Sequence, residues 1–544
     1  MPYRMGLLSI FGPTRPQTVP TDQIVPLRQW DDLHYLRSLC HDFTFRFDDV
    51  LDAAKLEAAL GRLMEIGDWG QLGARLRLNK NGKLEYHIPA EYDSNTRPAF
   101  IFTTAEYGMT INEHPLGSQL PKTGQDQSFL SPTSAVFRPL VCHQDSPREL
   151  ADWIYTDRPQ LHVHVTLFQD TTLLTVSYIH TLFDAVARTN FFKAWIAVLN
   201  GRETEVPPFL PFDQDPLCTL GKGASRQNYT NFHRLLSGLS LVLFGLRYLW
   251  ELFWFHAEEE HSIRLPGHCV NQMRESACHQ LTATTAEGVE PPFLSEPDIV
   301  SAWWVKTLVT ALNPSRDRAI MVMSPFNVWS VFSEQFPSGG KGFIGNAFFN
   351  SYNVLDVGEV LEDDNLAYLA SKNRQALVEH RTQEQVHAMT SIQRNSIMSI
   401  PPLVGKSNLL FMTHTNQHKA RYFETDFSAA VVATGVPLSE RPHALGRPSY
   451  INDIEHCRLY PTRNVCRVIG KDAAGDWWLL FKTRADAWPA IHQQLKALLE
   501  IDDLLADGAD YQPAISYQES SYSKANSRMM GALMDFYTFL KLLV

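Results

Sequence analysis

Among the histidines of this chain, only His180 has an aspartate four residues later, in His180-Thr181-Leu182-Phe183-Asp184. An imidazole with its ordinary pKa near 6.5 takes up and returns a proton around neutrality, which makes His180 a candidate general base. Asp184 is close enough in sequence to orient it. As a bare pattern the spacing says little, because about one such match is expected by chance among 20 histidines. Its setting says more.

Residues 173–179 read as a strand, with Leu174, Val176 and Tyr178 on the face that His180 continues. Residues 185–199 read as a helix, since Phe191, Phe192, Trp195 and Leu199 recur at helical spacing and Gly201 stands where a C-terminal cap belongs. The motif thus turns a strand into a helix. A blander reading makes Asp184 the N-cap of that helix and His180 a hydrogen-bonded residue at a strand end.

The elements that must hold this turn belong to a two-part chain. At 544 residues the chain exceeds one core. Residues 1–206 read as a mixed α/β domain with hairpins at 76–88 and 161–179, a helix at 52–66 and a loop from 94 to 147. Residues 207–261 read as a linker and an apolar helix. A second α/β pattern fills 262–508, with strands at 320–323, 430–433 and 477–481 and helices at 296–312, 359–379 and 485–505. Residues 509–544 read as a tail that ends in an apolar stretch.

The net charge of −11 argues against nucleic acid as a partner, which needs clustered Lys and Arg. Seven scattered cysteines without C-x-x-C suggest a reducing compartment. The apolar run 5–11 is too short for a secretory signal, so a cytoplasmic protein is expected. Residues 235–255 form the most hydrophobic window, in which only Arg247 and Glu251 carry charge, and these stand at pairing distance on a helix. His233, Ser237, Ser240, Arg247 and Glu251 fall on one stripe. That pattern fits a helix packed on the body with a thin wet edge, or an interfacial helix making peripheral membrane contact.

Other constellations are weaker. His162 and His164 alternate on a strand but lack a third ligand, so no metal site is expected. Whether His180 shares their face depends on hairpin register. His414 and His418 lack the Glu of a zinc protease and suit a surface or loop role. No G-x-S-x-G elbow is present. Gly340-Lys341-Gly342-Phe343-Ile344-Gly345 matches a dinucleotide fingerprint but follows a turn, which favours a plain loop.

Strand-HTLFDA-helix, ending in Leu199-Asn200-Gly201, resembles the acyl-CoA-dependent BAHD acyltransferases, in the branch of fungal secondary metabolism. Ser295-x-x-Asp298, Gly345-Asn346, Asp426-Phe427-Ser428 and Gly446-Arg447-Pro448 resemble that family's later motifs and follow in its order. The resemblance implies a two-domain, chloramphenicol-acetyltransferase-like α/β architecture with a channel between mixed sheets. It implies His180 as the general base, Asp184 and Asp426 as structural supports, and no bound cofactor. Acyl-CoA would be the co-substrate and a small apolar metabolite the acceptor, acylated on a hydroxyl or an amine by a monomer. Lys341 is a candidate contact for the donor's phosphates. The arginine that the family places opposite Asp184 aligns with Trp329 here, and Ala185 replaces a glycine. Two alternatives share the fold: a cyclisation or condensation without acyl-CoA, and a non-catalytic metabolite-binding protein.

Overall fold

The structure is a computed structural model and describes residues 14–506, apart from 123–129, 287, 364, 458, 459 and 461. The apolar runs 5–11 and 529–544 and the tail at 509–544 lie outside the described residues.

Two mixed sheets carry the fold. The first has five strands in the order Tyr450–Cys457, Leu39–Phe47, Thr172–Ile179, His162–Leu167 and Ile101–Glu106. All its pairs are antiparallel except the last. Its central strands Leu39–Phe47, Thr172–Ile179 and His162–Leu167 are buried almost throughout, because the helices Ala53–Met64 and Ala185–Leu199 pack together beside a core of Phe43, Phe45, Phe192 and Trp195. The second sheet has seven strands, ordered Phe348–Asp356, Ala319–Asn327, Leu410–Asn416, Val465–Lys471, Trp477–Arg484, Glu258–Leu265 and Leu130–Ser131. Helices Glu296–Leu312, Leu366–His380 and Trp488–Ala506 accompany it. This is the mixed α/β arrangement that the resemblance implies.

The sheets exchange strands. Tyr450–Cys457, from late in the chain, forms an edge of the first sheet against Leu39–Phe47. Leu130–Ser131, from early in the chain, closes one edge of the second. A third core joins the halves, with Trp30, Leu33 and Leu36 packed among Phe326, Phe343 and Phe349.

Several expectations need correction. Residues 94–147 are not a plain loop: Ile101–Glu106 pairs in parallel with His162–Leu167, and Phe137, Leu140 and Val141 are buried. The Thr-rich edge strand is half exposed and so lacks the alternation that marks a strand. The 359–379 helix breaks into Val357–Val360 and Leu366–His380, around a polar stretch with Asp363 and Asn365, both poor helix formers. The strand at 430–433, observed as Val431–Thr434, leaves the second sheet and pairs with Asp49–Leu51.

The helix Gly238–Trp254 reverses the expected orientation. Phe244 and Gly245 are buried, and Leu241 and Tyr248 pack on the third core. Arg247 and Glu251 do not pair with each other. Arg247 donates to Ser407 at 2.8 Å, and Glu251 binds Arg318 at 2.5 Å. Arg247 and Glu251 of the polar stripe are therefore tied to the body along one edge of the helix, and the outward face is apolar. Among the described residues, no helix is long and apolar enough to cross a membrane.

Candidate active site

His180 continues the Thr172–Ile179 strand by one hydrogen bond, from its N–H to Leu39 O at 2.8 Å. The chain then turns, with Leu182 N–H donating to Ile179 O, and Asp184 caps the next helix through Val186 N–H at 2.9 Å and Ala187 N–H at 2.8 Å. Asp184 is thus the N-cap that the blander reading foresaw. It does more than cap. Its second oxygen accepts Ala347 N–H at 3.0 Å, and its own N–H donates to Gly345 O at 3.2 Å. Burial pushes the Asp184 carboxyl up, against these backbone donors.

Trp329 makes no hydrogen bond to Asp184, since its indole nitrogen is buried without a partner. From the second half of the chain, Asp184 is met by two backbone groups, Ala347 N–H and Gly345 O. Trp329 instead packs between Phe336 and Phe343, with ring centroids 5.8 Å and 6.2 Å away.

His180 itself is held by Asn346. The imidazole Nδ1 lies 3.1 Å from Asn346 Oδ1. The Asn346 amide nitrogen donates to Asp31 Oδ1 and to His180 O, both at 3.0 Å, which fixes the amide orientation. Oδ1 is therefore an acceptor, Nδ1 carries the proton, and Nε2 keeps its lone pair. This is the tautomer of a proton acceptor.

The chain of support continues away from the ring. Asp31 Oδ1 also accepts Asn346 N–H at 2.6 Å, and Arg28 lies 3.9 Å from its other oxygen. Arg28 is buried and donates to Ile344 O, Gln214 O and Pro211 O. Burial pushes Asp31 up to about 7, opposed by Arg28 and the Asn346 donors. Gly345 has φ of +148°, and a Cβ there would come within 2.9 Å of Arg28 and of Phe343. Replacing Gly345 by Ala should therefore cost on the order of 2 kcal/mol or more in unfolding free energy, read by urea denaturation.

A second histidine shares the face of His180. His41 pairs with Tyr178 across the sheet, and its ring lies 5.5 Å from that of His180. Its Nδ1 is 3.0 Å from Asp453 Oδ1, and Arg467 lies 3.4 Å from the other oxygen. Burial opposes the charge on Asp453, yet His41 and Arg467 hold it well below the usual carboxylate range. Arg188, on the helix after the motif, is buried over the Phe43 ring at 3.7 Å and reaches Tyr422 and Gln417 from the second half. Burial, with the neighbouring His41 charge, pushes His180 down to about 4, so the ring is neutral at physiological pH. It stays half-buried, with Phe348 at 6.0 Å.

The other candidates lie apart from this ring. His162 and His164 pair with Ser177 and Thr175, so their register puts them on the opposite face from His180. Both hydrogen-bond Thr103, and among the described residues no group that could hold a metal is found. His414 is buried against Trp304, a correction to its expected surface role. Asp426 accepts Ser428 N–H at 3.0 Å in a local turn. Asp298 completes a capping box with Ser295 and binds Arg374. Lys341 is exposed. Two cavities, of about 170 Å³ beneath Phe255 and about 470 Å³ beside Phe212, are not lined by His180.

The sequence reading missed His41, Asp453 and the Arg28–Asp31 pair. It noted Asn346 only as part of a motif. The one available signal was the Gly-Asn dipeptide itself, whose partner lies 166 residues away.

Two exchanging mixed sheets, with a histidine-aspartate turn clamped by a Gly-Asn segment from the far half, define the chloramphenicol-acetyltransferase-like class. The solved structure of F. graminearum TRI101 complexed with coenzyme A and deoxynivalenol matches with a TM-score of 0.62 at 13% identity, over 87% of this chain and 97% of that one. Acetyltransferase adrJ of Penicillium rubens is 39% identical over 91% of this chain and 99% of the relative. A relative from Penicillium decumbens, 33% identical over 90% of this chain and 99% of its own length, carries the name transcriptional regulator calD. No family model matches the chain. The chain belongs to the fungal BAHD-type acyltransferases.

Proposed function

We propose that the protein moves an acyl group from acyl-CoA to a hydroxyl, or less readily an amine, of a small apolar metabolite, with His180 as general base. The observation that carries this reading is the Asn346 clamp, which leaves Nε2 unprotonated. Nε2 takes the proton of the acceptor hydroxyl as its oxygen bonds to the thioester carbonyl carbon. When the C–S bond breaks, the electron pair leaves with sulfur and Nε2 returns the proton to it. The products are an ester and free CoA. Asp184 and Asp426 hold the fold and touch no reacting atom.

The name of adrJ and the coenzyme A in the TRI101 structure support this donor and this reaction. One copy of the chain is sufficient, since His180 and Asn346 come from the same chain. In this reading the protein works as a monomer in the cytoplasm and meets membranes only peripherally, through residues 235–255.

The test is donor dependence. Purified protein with acetyl-CoA and a panel of apolar alcohols should give free CoA and products heavier by one acetyl group, by mass spectrometry. Product formed without donor would overturn the reading in favour of a cyclase or a condensing enzyme. The name of calD favours a second reading, a protein of this fold that acts by binding. Acceptor binding with no CoA release across the panel would favour it.

A further inference from the structure

The helix Gly238–Trp254 turns its apolar side to solvent. Leu239, Leu243, Leu246, Trp250, Phe253 and Trp254 are all exposed, Leu239 by 72% and Phe253 by 67%. At 100° per residue they fall within an arc of about 120°, and from Leu239 to Trp254 they span about 22 Å. Of 17 exposed large hydrophobic residues among the described ones, eight lie between Leu239 and Phe255. The patch is therefore concentrated on one helix, not scattered as on an ordinary surface.

We infer that this face docks on an anionic lipid surface. The edge of the face is basic. Arg247 flanks the apolar arc and is tied to Ser407, while Gly405 N–H donates to Arg234 O, so Arg234 and Lys406 gather at the same seam. All three cations are exposed. Lys406 is itself paired with Asp356, and Glu251 with Arg318, so the positive charge of this edge rests on Arg234 and Arg247. A basic edge beside tryptophans is what a headgroup layer over hydrocarbon accepts.

A second copy of the chain fits less well. A helix face about 22 Å long and about 10 Å wide offers roughly 200 Å² per copy, against about 800 Å² per partner in a stable interface. Shallow insertion into a bilayer has no such requirement. This inference deepens the peripheral contact in the proposed reading and does not depend on the chemistry at His180.

The test is flotation of the full chain with vesicles of phosphatidylcholine plus phosphatidylserine, and with phosphatidylcholine alone. Binding should favour the anionic vesicles and weaken with salt. The double variant Leu246→Glu/Trp250→Glu should lose roughly tenfold or more of that binding, and Arg247→Gln should lower the preference for phosphatidylserine. Acyl transfer to a water-soluble alcohol should be unchanged in all three proteins, which separates this inference from the reading of the active site. No binding, or equal binding to both vesicles, would overturn it. So would a doubling of mass in light scattering that the double variant abolishes while vesicles bind nothing.

Discussion

Replacing His180 by Ala should lower kcat by between about 10² and 10⁴, the range that a positioned general base contributes. Affinity for CoA, measured by calorimetry, should not change, because the ring is expected to meet the acceptor's proton and not the nucleotide. The pH profile supplies an independent check on the wild-type protein. A base works when deprotonated, so activity falls as pH drops through its folded-state pKa. With His180 pushed from 6.5 down to about 4 by burial and by His41, kcat/KM should stay level between pH 6 and 8 and fall only near 4. Half-loss of activity near pH 6.5 would mean that the working imidazole is not His180 in the setting described here. Full turnover in the His180→Ala variant would remove it from the chemistry altogether.

The second large effect is expected at Asn346, a positioning residue. Asn346→Ala removes the acceptor that holds the proton on Nδ1 and one of the two N–H donors to buried Asp31. Leaving such groups unpaired costs about 1–3 kcal/mol of stability. The kinetic consequence should be larger. With the tautomer and ring orientation released, kcat should fall on the order of 100-fold while KM for the acyl donor stays near its wild-type value. A variant that loses stability yet keeps kcat would reduce Asn346 to a packing role.

The local part of this site was legible in the sequence. Alternation up to Tyr178 and helical spacing after Asp184 placed His180 at a strand-to-helix turn, and both elements form there. The capping role of Asp184 was readable for the same reason, since it depends on residues two and three positions away. The partners of His180 were not readable, because Asn346 and Asp31 are 315 residues apart and meet only through the tertiary fold. The pairing of His41 with Asp453 spans 412 residues and depends on a strand that crosses to the other half. The apolar helix shows a different limit. Periodicity identified its polar stripe, yet spacing cannot say which side the body covers, and Arg318 and Ser407 hold Glu251 and Arg247 at the edge of the contact.

The crossing of Tyr450–Cys457 into the first sheet has a consequence for biosynthesis. A ribosome that has reached residue 449 has already released every other strand of that sheet, yet Leu39–Phe47 still has one side without a neighbour. An open rim of this kind templates association with other nascent chains. That rim closes only when Tyr450–Cys457 is made, and the same strand brings Asp453 to His41, whose ring lies 5.5 Å from that of His180.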